Sequence, residues 1–292
     1  MTRLFVKCMI LLLALSTLAP ISAVAEDSER QLKVFVSILP QAYFVERVGG
    51  PDVNVEVLVG PGQSPETFEP TPQQLASLAQ ADIYFHIGLP FEDRLLEKIH
   101  ATMKDLPIID TRQGIKLRAL HSEHEGVNTD PHVWLDPKLV SIQAETICKA
   151  FIRLDSTHSV RYEENLHAFQ TDLRNVDVKI AQTLKPLKGR TFYVFHPSFG
   201  YFADAYGLIQ TAVETDGKEP SAKQLATLID DARREGVKVI FIQPQFSSKS
   251  AEVVAKAIGG TVVPLDPLSR DYLGNLEDIA DKIARALKGE GN

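Results

Sequence analysis

Short apolar runs rich in β-branched and aromatic residues recur along this chain, and amphipathic stretches separate them. This alternation is typical of α/β folds with parallel sheets. Four such runs occur in each half of the chain. They are Leu32–Ile38, Val53–Val59, Asp82–Ile87 and Pro107–Asp110, and then Thr191–Phe195, Gln210–Val213, Val237–Ile242 and Thr261–Leu265. We therefore expect an α/β protein with two four-stranded, mostly parallel sheets flanked by helices.

The two halves also resemble each other in local sequence. Glu69–Leu75 matches Glu219–Leu225, and Ile38–Phe44 has the same place after its first strand as Phe195–Phe202. In the first pair, a Thr or Ser that can cap a helix precedes good helix formers. The matching segments of the two halves are about 150 residues apart in each case. Chance is a weak explanation for this, so we expect two related lobes.

A long amphipathic helix is predicted between the two halves. No Gly or Pro occurs from Val160 to Lys185, and apolar residues recur there at steps of three and four. The apolar stripe consists of Leu166, Phe169, Leu173, Val176, Ile180 and Leu184. At about 1.5 Å per residue the helix would span about 40 Å, the length of both lobes. A coiled-coil seam is the alternative, but only about three heptads are present, and we favour a rigid strut within one chain.

The N-terminus has the features of a secretory signal peptide, because Arg3 and Lys7 precede an apolar stretch and Ala23-Val24-Ala25 fits a cleavage site. The mature protein would be periplasmic. It would keep one cysteine, Cys148, which we expect to be a small buried hydrophobe. The predicted organisation is a signal peptide over 1–25, an N-terminal lobe over 26–155, a linking helix over 156–186 and a C-terminal lobe over 187–292.

The charge pattern limits the kinds of partner. The formal net charge is -7, and no run of basic residues occurs. Nucleic-acid binding needs clustered Lys and Arg, so we expect no nucleic-acid partner. We also expect a monomer.

Two stretches place a histidine in stiff, apolar backbone. Asp130–Pro137 (DPHVWLDP) holds His132 between two prolines, beside the only Trp of the chain. Phe195–Phe202 (FHPSFGYF) places His196 directly after a predicted strand. Neutral imidazole is the commonest metal ligand, so these two histidines suggest a metal site.

Four candidate ligands fall near the carboxyl ends of predicted strands, where open α/β sheets bind their ligands. His196 and Asp266 follow the first and fourth strands of the second half. Glu66 lies on a loop after the second strand of the first half, and His132 lies in the turn at the end of that half. We therefore expect Glu66, His132, His196 and Asp266 to face one cleft between the lobes.

Each of these positions also has a purely structural explanation. A lone His in an apolar stretch is more often a core residue than a ligand. Asp266 could cap a turn, and Glu66 could be solvated. Asp130 and Asp136 could cap the helix that begins near Pro137. The metal interpretation is favoured because four candidates fall at equivalent strand ends.

With these motifs, the chain resembles the metal-binding receptors of zinc- and manganese-type ABC importers, in which a long helix joins two α/β lobes. The resemblance covers essentially the whole mature chain. Residue by residue, it implies metal ligands at His132, His196 and Asp266. The motifs that carry it are Val59–Gly62, Phe68–Pro72, Asp130–Pro137, His196–Phe202 and Leu265–Leu268.

One position departs from the family pattern, because Glu66 stands where the family usually has His. The expected ligand set is then two imidazoles and two carboxylates, which admits Mn²⁺ or Fe²⁺ as well as Zn²⁺. We expect Zn²⁺, because manganese-type relatives tend to have a carboxylate at the position of His196. The alternative is that Glu66 faces solvent and that water or Glu69 is the fourth ligand.

A polar segment ahead of His132 contains His121, Glu123, His124 and Glu125. Zinc receptors of this family often have a His- and acid-rich loop near this point, thought to scavenge metal. Here it is only a stub. A metal-scavenging loop with His121 and His124 and a solvated polar loop are both compatible with it.

The resemblance implies a binding protein, not an enzyme, that captures one divalent transition metal and delivers it to an ABC membrane permease with its ATPase. A metal-dependent adhesin and a zinc hydrolase are the alternatives. No HExxH-type helix is present. Four protein ligands would also close a site that a zinc hydrolase keeps open for water.

Overall fold

Strands and helices alternate along the described residues, 30–119, 129–214 and 221–289, of a computed structural model. The predicted signal peptide, the segment with His121 and His124, and the Glu219 end of the internal match lie outside them. The described strands are β1 Leu32–Val36, β2 Val53–Val57, β3 Ile83–His86, β4 Ile108–Asp110, β5 Thr191–Val194, β6 Ile209–Ala212, β7 Val239–Ile242 and β8 Thr261–Pro264. The described helices are α1 Leu39–Gly49, α2 Pro72–Leu78, α3 Pro90–Thr102, α4 Pro137–Leu154, α5 Ser159–Leu184, α6 Gly200–Tyr206, α7 Ala222–Arg234, α8 Lys249–Ala257 and α9 Tyr272–Lys288.

The strands form two parallel sheets with equivalent strand order. The first is ordered β2-β1-β3-β4 and the second β6-β5-β7-β8. Tyr193 of β5, for example, pairs with Thr211 on one side and Ile240 on the other. The predicted pair of four-stranded parallel sheets is confirmed. In each sheet the order reverses beside the first strand, where α/β proteins leave a crevice for ligands.

The observed strand ends differ from the predicted ones by one or two residues. The end of β1 shows why. The backbone N–H groups of Ser37 and Ile38 donate to Oε1 of Gln41, at 3.0 and 3.4 Å. The chain therefore leaves the sheet before Ile38 and begins α1, so Ser37 and Ile38 of the predicted run lie beyond the strand.

The long helix is confirmed as α5, which has 26 residues and a length of about 39 Å. It packs against α1 and α4 of the first half and against α9 of the second half. One apolar face is buried, as predicted, although Tyr162 is buried in it and Leu166 is only partly so. Because α5 packs against both halves, it is built as a strut and not as an exposed tether.

The same helix-capping chemistry occurs at equivalent places in the two halves. Oγ1 of Thr71 accepts from the backbone N–H of Gln74, whose side chain accepts from the N–H of Thr71. Ser221 and Gln224 make the same pair of hydrogen bonds. These reciprocal bonds satisfy N–H groups that a helix start leaves unpaired, and they confirm the predicted N-caps of α2 and α7.

A continuous apolar core runs beneath both sheets and includes the buried face of α5. A second cluster lies between the other face of the second sheet and helices α7 and α8. Cys148 is buried in α4, as expected, and its burial raises the pKa of its thiol to about 11. Among the helices of the described chain, none combines the length and apolar character needed to cross a membrane.

Candidate metal centre

Three loops bring three of the predicted ligands together. Glu66 lies in a 3-10 turn on the loop after β2, and His196 follows β5 by two residues. His132 immediately precedes a second 3-10 turn ahead of α4. The two histidines are buried, whereas the Glu66 side chain is 28 % exposed. The site is therefore reached from the side of Glu66.

The distances between these side chains suit a metal ion. One ligand atom from each of Glu66, His132 and His196 lies within 4.8 Å of the others. Nε2 of His196 is 3.7 Å from Oε1 of Glu66, and the two imidazole centroids are 5.3 Å apart. Tetrahedral Zn²⁺ with bonds of about 2.0–2.1 Å separates its ligand atoms by about 3.3 Å. Small side-chain movements would therefore complete coordination.

Asp130 fixes the ring of His132. Its Oδ1 lies 2.7 Å from Nδ1 of His132 and accepts a hydrogen bond from the backbone N–H of the same residue at 3.0 Å. An ionised carboxylate can only accept, so Nδ1 carries the proton, and in the neutral imidazole Nε2 then keeps its lone pair for a metal. Metal-binding histidines are commonly oriented by carboxylates in this way.

Asp130 is ionised despite its complete burial. Burial alone raises its pKa, but the hydrogen bonds from His132 and the positive charge of Arg118 more than offset this and hold the pKa below its usual value. Nη1 of Arg118 is 3.4 Å from Oδ2 of Asp130. The carboxylate is therefore available in its charged form to orient His132.

Glu214 fixes the ring of His196, as Asp130 fixes the ring of His132. Its Oε1 is 2.7 Å from Nδ1 of His196, and its side chain is buried. Gln243 holds the backbone of His196 from both sides: Oε1 accepts from its N–H at 3.1 Å, and Nε2 donates to its carbonyl at 2.7 Å. Phe246 stacks on the ring, with centroids 4.9 Å apart. His196 thus has a fixed ring and a free Nε2.

The charges around the two imidazoles favour a cation. Glu66, Asp130 and Glu214 are three carboxylates that border them, and Arg118 pairs with one of the three. Buried charges in proteins are normally paired or bound to metal. A divalent cation between neutral imidazoles would supply the balancing charge.

Asp266 does not belong to the converging group of Glu66, His132 and His196, although the two residues that follow it, Pro267 and Leu268, line a cavity that adjoins the group. Its Oδ1 accepts hydrogen bonds from Nε2 of Gln245 and from the backbone N–H of Leu268, both at 2.9 Å. Oδ1 of Asp266 therefore caps a turn, as the structural explanation of this residue expects. Its role as a ligand stays a prediction. Glu69, the other acidic candidate, is exposed and also lies outside the converging group.

A small cavity adjoins the converging side chains. Its volume is about 20 Å³, whereas sites for organic ligands have volumes of about 300–1,000 Å³. A cavity of this size accommodates an ion or a water molecule. It is lined by Pro65, Glu66, Leu89, His132, Trp134, His196, Ser198, Gln245, Phe246, Pro267 and Leu268.

The structure also shows what the sequence interpretation missed. Glu214 and Gln243 were not recognised, although Glu214 follows β6 by two residues and the strand-end argument could have included it. Asp136 caps α4, with Oδ1 accepting from the N–H of Lys138 at 2.9 Å. The alternative that Asp130 caps this helix is wrong, because its oxygens are engaged by His132 and Arg118.

Comparisons with known proteins find relatives among zinc-uptake and metal-transporting proteins. The chain is 28 % identical over 262 residues to the high-affinity zinc uptake system protein ZnuA of Bacillus subtilis, covering 84 % of this chain and 81 % of that protein. A crystal structure of ZnuA aligns with a TM-score of 0.84 at 45 % identity, covering 88 % of this chain and 99 % of the other. The laminin-binding protein Lmb of Streptococcus agalactiae, titled a bifunctional protein with adhesin and metal transporting activity, aligns at 0.79 and 26 % identity, covering 88 % and 100 %.

These similarities define a class of solute-binding transport proteins, not enzymes. The chain belongs to the family described as the periplasmic component A of the zinc-uptake complex, whose model matches residues 34–286. This family supplies metal-binding receptors for ABC importers and works with permease and ATPase components.

Proposed function

We propose that this protein captures one divalent transition metal, with Zn²⁺ preferred, between its two lobes and delivers it to the permease of an ABC importer. The observation that carries the proposal is the convergence of Glu66, His132 and His196 beside an ion-sized cavity. Because Asp130 and Glu214 occupy the two Nδ1 atoms, both Nε2 atoms are free to bind.

The donor set and the relatives support zinc over harder cations. Imidazole nitrogen suits Zn²⁺, and zinc binds nitrogen sites more strongly than Mn²⁺ or Fe²⁺. The Bacillus subtilis relative is named as a zinc-uptake protein. Glu66 in place of a third imidazole makes the set harder, so we expect Mn²⁺ and Fe²⁺ to compete, but more weakly than Zn²⁺.

We further propose that Asp266 is the fourth ligand. Its Oδ1 is held by Gln245 and Leu268, and rotation of the carboxylate could present Oδ2 to the metal. Four protein ligands would close the shell, which suits carriage of a metal and not hydrolysis. We propose that the protein acts in the periplasm, the location in the description of its family, and that it does so as a monomer after removal of residues 1–25.

The metal content of the native protein tests the capture step. We expect about one zinc per chain in protein isolated from the periplasm without added metal. His132→Ala and His196→Ala should each lose most of it, because each removes an imidazole ligand. His167→Ala is the matched control, since His167 is exposed on α5. Full zinc content and affinity in both ligand variants would overturn the proposed site.

Delivery requires a test in cells. In source cells that lack the chromosomal copy and grow under zinc limitation, the wild-type chain should restore zinc accumulation. His132→Ala, secreted at the same level, should not restore it. Equal restoration by both chains would show that delivery does not depend on the proposed site.

A further inference from the structure

The chain segments on either side of residues 120–128 meet directly beside the metal centre. The backbone N–H of Asp130 donates to the carbonyl of Arg118 at 2.8 Å. Ala119 and Thr129 form an antiparallel bridge one residue further on. The backbone of Asp130, the residue that orients His132, is therefore positioned by its pairing with Arg118.

The side chain of Arg118 contacts the same carboxylate. Oδ1 of Asp130 serves His132, and Nη1 of Arg118 lies 3.4 Å from the remaining oxygen, Oδ2. Nε of Arg118 donates to Oδ2 of Asp204, on α6, at 2.8 Å. Asp130 is fully buried, whereas the Asp204 side chain is 61 % exposed. Arg118 thus connects a buried carboxylate to an exposed one.

The first turn of α6 packs on the Arg118–Asp130 pair. The hydroxyl of Tyr201 accepts from the N–H of Arg118 at 2.8 Å and donates to the carbonyl of Asp130 at 3.0 Å. A Cβ added to Gly200 would lie 2.2 Å from Nη1 of Arg118 and 2.6 Å from Oδ2 of Asp130. Only glycine fits there while both groups keep their positions.

We propose that Arg118 is a positioning residue of the metal centre. By holding Oδ2 of Asp130, it keeps Oδ1 directed at Nδ1 of His132, and so keeps Nε2 of His132 directed at the metal. The torsion that rotates a carboxylate is broad and poorly restrained by itself. The two bonds from His132 hold only Oδ1, and Arg118 holds the other oxygen, Oδ2. This inference rests on the proposed function, because it concerns the same metal.

The direction in which metal affinity changes when Arg118 is lost separates a positioning role from a simple electrostatic effect. A guanidinium near a bound cation repels it, so on electrostatic grounds alone the loss of Arg118 would strengthen metal binding. On positioning grounds the loss of Arg118 weakens it, because His132 is no longer held in one orientation. The direction of the change in metal affinity therefore decides between them.

The test is a double-mutant cycle on the full mature chain, with zinc affinity measured by competition against a chelator. We expect Asp130→Asn to weaken binding about 10–100-fold and Arg118→Gln about 3–10-fold, since Arg118 acts one contact further out. The double variant should bind no more weakly than Asp130→Asn alone, because Arg118 acts through Asp130. Additive losses, or tighter binding by Arg118→Gln, would overturn the inference.

Two further variants separate positioning from a general loss of packing. Gly200→Ala should lower zinc affinity as Arg118→Gln does, because its methyl group displaces the guanidinium. Arg47→Gln removes a comparable contact, Arg47 to Asp172 at 2.7 Å between α1 and α5, and should leave zinc affinity unchanged. Unchanged affinity in Gly200→Ala, or an equal loss in Arg47→Gln, would contradict the proposed role.

The absorption spectrum of bound Co²⁺ reports the geometry of the ligands. A substitution with a merely structural effect would leave this spectrum unchanged. The absorption bands of Co²⁺-loaded Arg118→Gln should differ from those of the wild type, while Arg47→Gln should match the wild type. If the wild type binds no metal, or if His132→Ala binds it fully, the proposed function itself fails. If His132→Ala loses binding while Arg118→Gln keeps wild-type affinity and spectrum, only the role of Arg118 fails.

Discussion

Replacing Glu214 with Gln tests whether the carboxylate behind His196 contributes to metal binding. The amide keeps the shape of the side chain and an oxygen that can accept from Nδ1 of His196. It removes the negative charge, which lies 2.7 Å from that nitrogen. We expect zinc affinity to fall roughly 10–100-fold, the range known for such outer partners. Glu214→Ala should give the larger loss, because it also leaves Nδ1 without its acceptor.

The structure sets an upper limit on the loss of zinc binding free energy in Glu214→Gln. A metal on Nε2 of His196 would lie roughly 6 Å from the Glu214 oxygen, given a Zn–N bond of about 2.0 Å. A charge of 2+ and a charge of 1− at that distance attract by about 5.5 kcal/mol at an effective dielectric constant of about 20. The expected loss, about 1.4–2.7 kcal/mol, is smaller because the Gln dipole and solvent replace part of this attraction.

The assay is chelator competition on the wild type, on both Glu214 variants and on a control. Glu277→Gln serves as the control, because Glu277 pairs with Lys179 at 2.9 Å on an exposed helix surface. Thermal unfolding of the metal-free proteins should show that Glu214→Gln keeps the fold. Wild-type affinity in both Glu214 variants would refute the reasoning that His196 binds metal with Nδ1 held by this carboxylate.

Three other outcomes are expected from the same site. Glu66→His should increase the preference for zinc over manganese, because a third imidazole favours zinc; an unchanged ratio in competition titrations would remove Glu66 from the ligand set. Zinc at a thousandfold excess over Kd should stabilise the fold by about 4 kcal/mol. Calorimetry should therefore show a higher Tm with zinc, and a chelator should reverse the increase. Equal Tm values with and without zinc, at confirmed occupancy, would contradict a site formed by the folded protein. Zinc affinity should fall as the solution is acidified, because protons compete with the metal for its ligands; a flat profile would argue against His132 and His196 as ligands.

The sequence predicted the architecture because it depends on patterns that span many residues. Alternation of apolar runs with amphipathic stretches located all eight strands of the described residues, and the stripe from Phe169 to Leu184 located α5. The equivalent strand orders of the two sheets follow the resemblance between the halves. Strand ends were less accurate, because single side chains such as Gln41 decide where a strand gives way to a helix.

The groups around the ligands were harder to predict, because they depend on which side chains face each other across the fold. The Asp-Pro-His motif located His132, but the only role it suggested for Asp130 was that of a helix cap, and only the structure shows the hydrogen bonds of Asp130 to His132. Glu214 is 18 residues from His196 in the chain. The two meet because β5 and β6 are parallel neighbours whose carboxyl ends lie side by side.

The two kinds of ligand differ in how firmly the fold holds them. His132 and His196 are buried, and each ring is fixed through Nδ1 by a carboxylate. Glu66 is partly exposed, and the hydrogen bond from its backbone N–H to Oγ of Ser64, at 3.3 Å, holds the turn and not the carboxylate. Ligands that are already oriented lose little freedom when a metal binds. The imidazoles therefore supply affinity through preorganisation, whereas Glu66 can adjust its position to the radius and geometry of the ion.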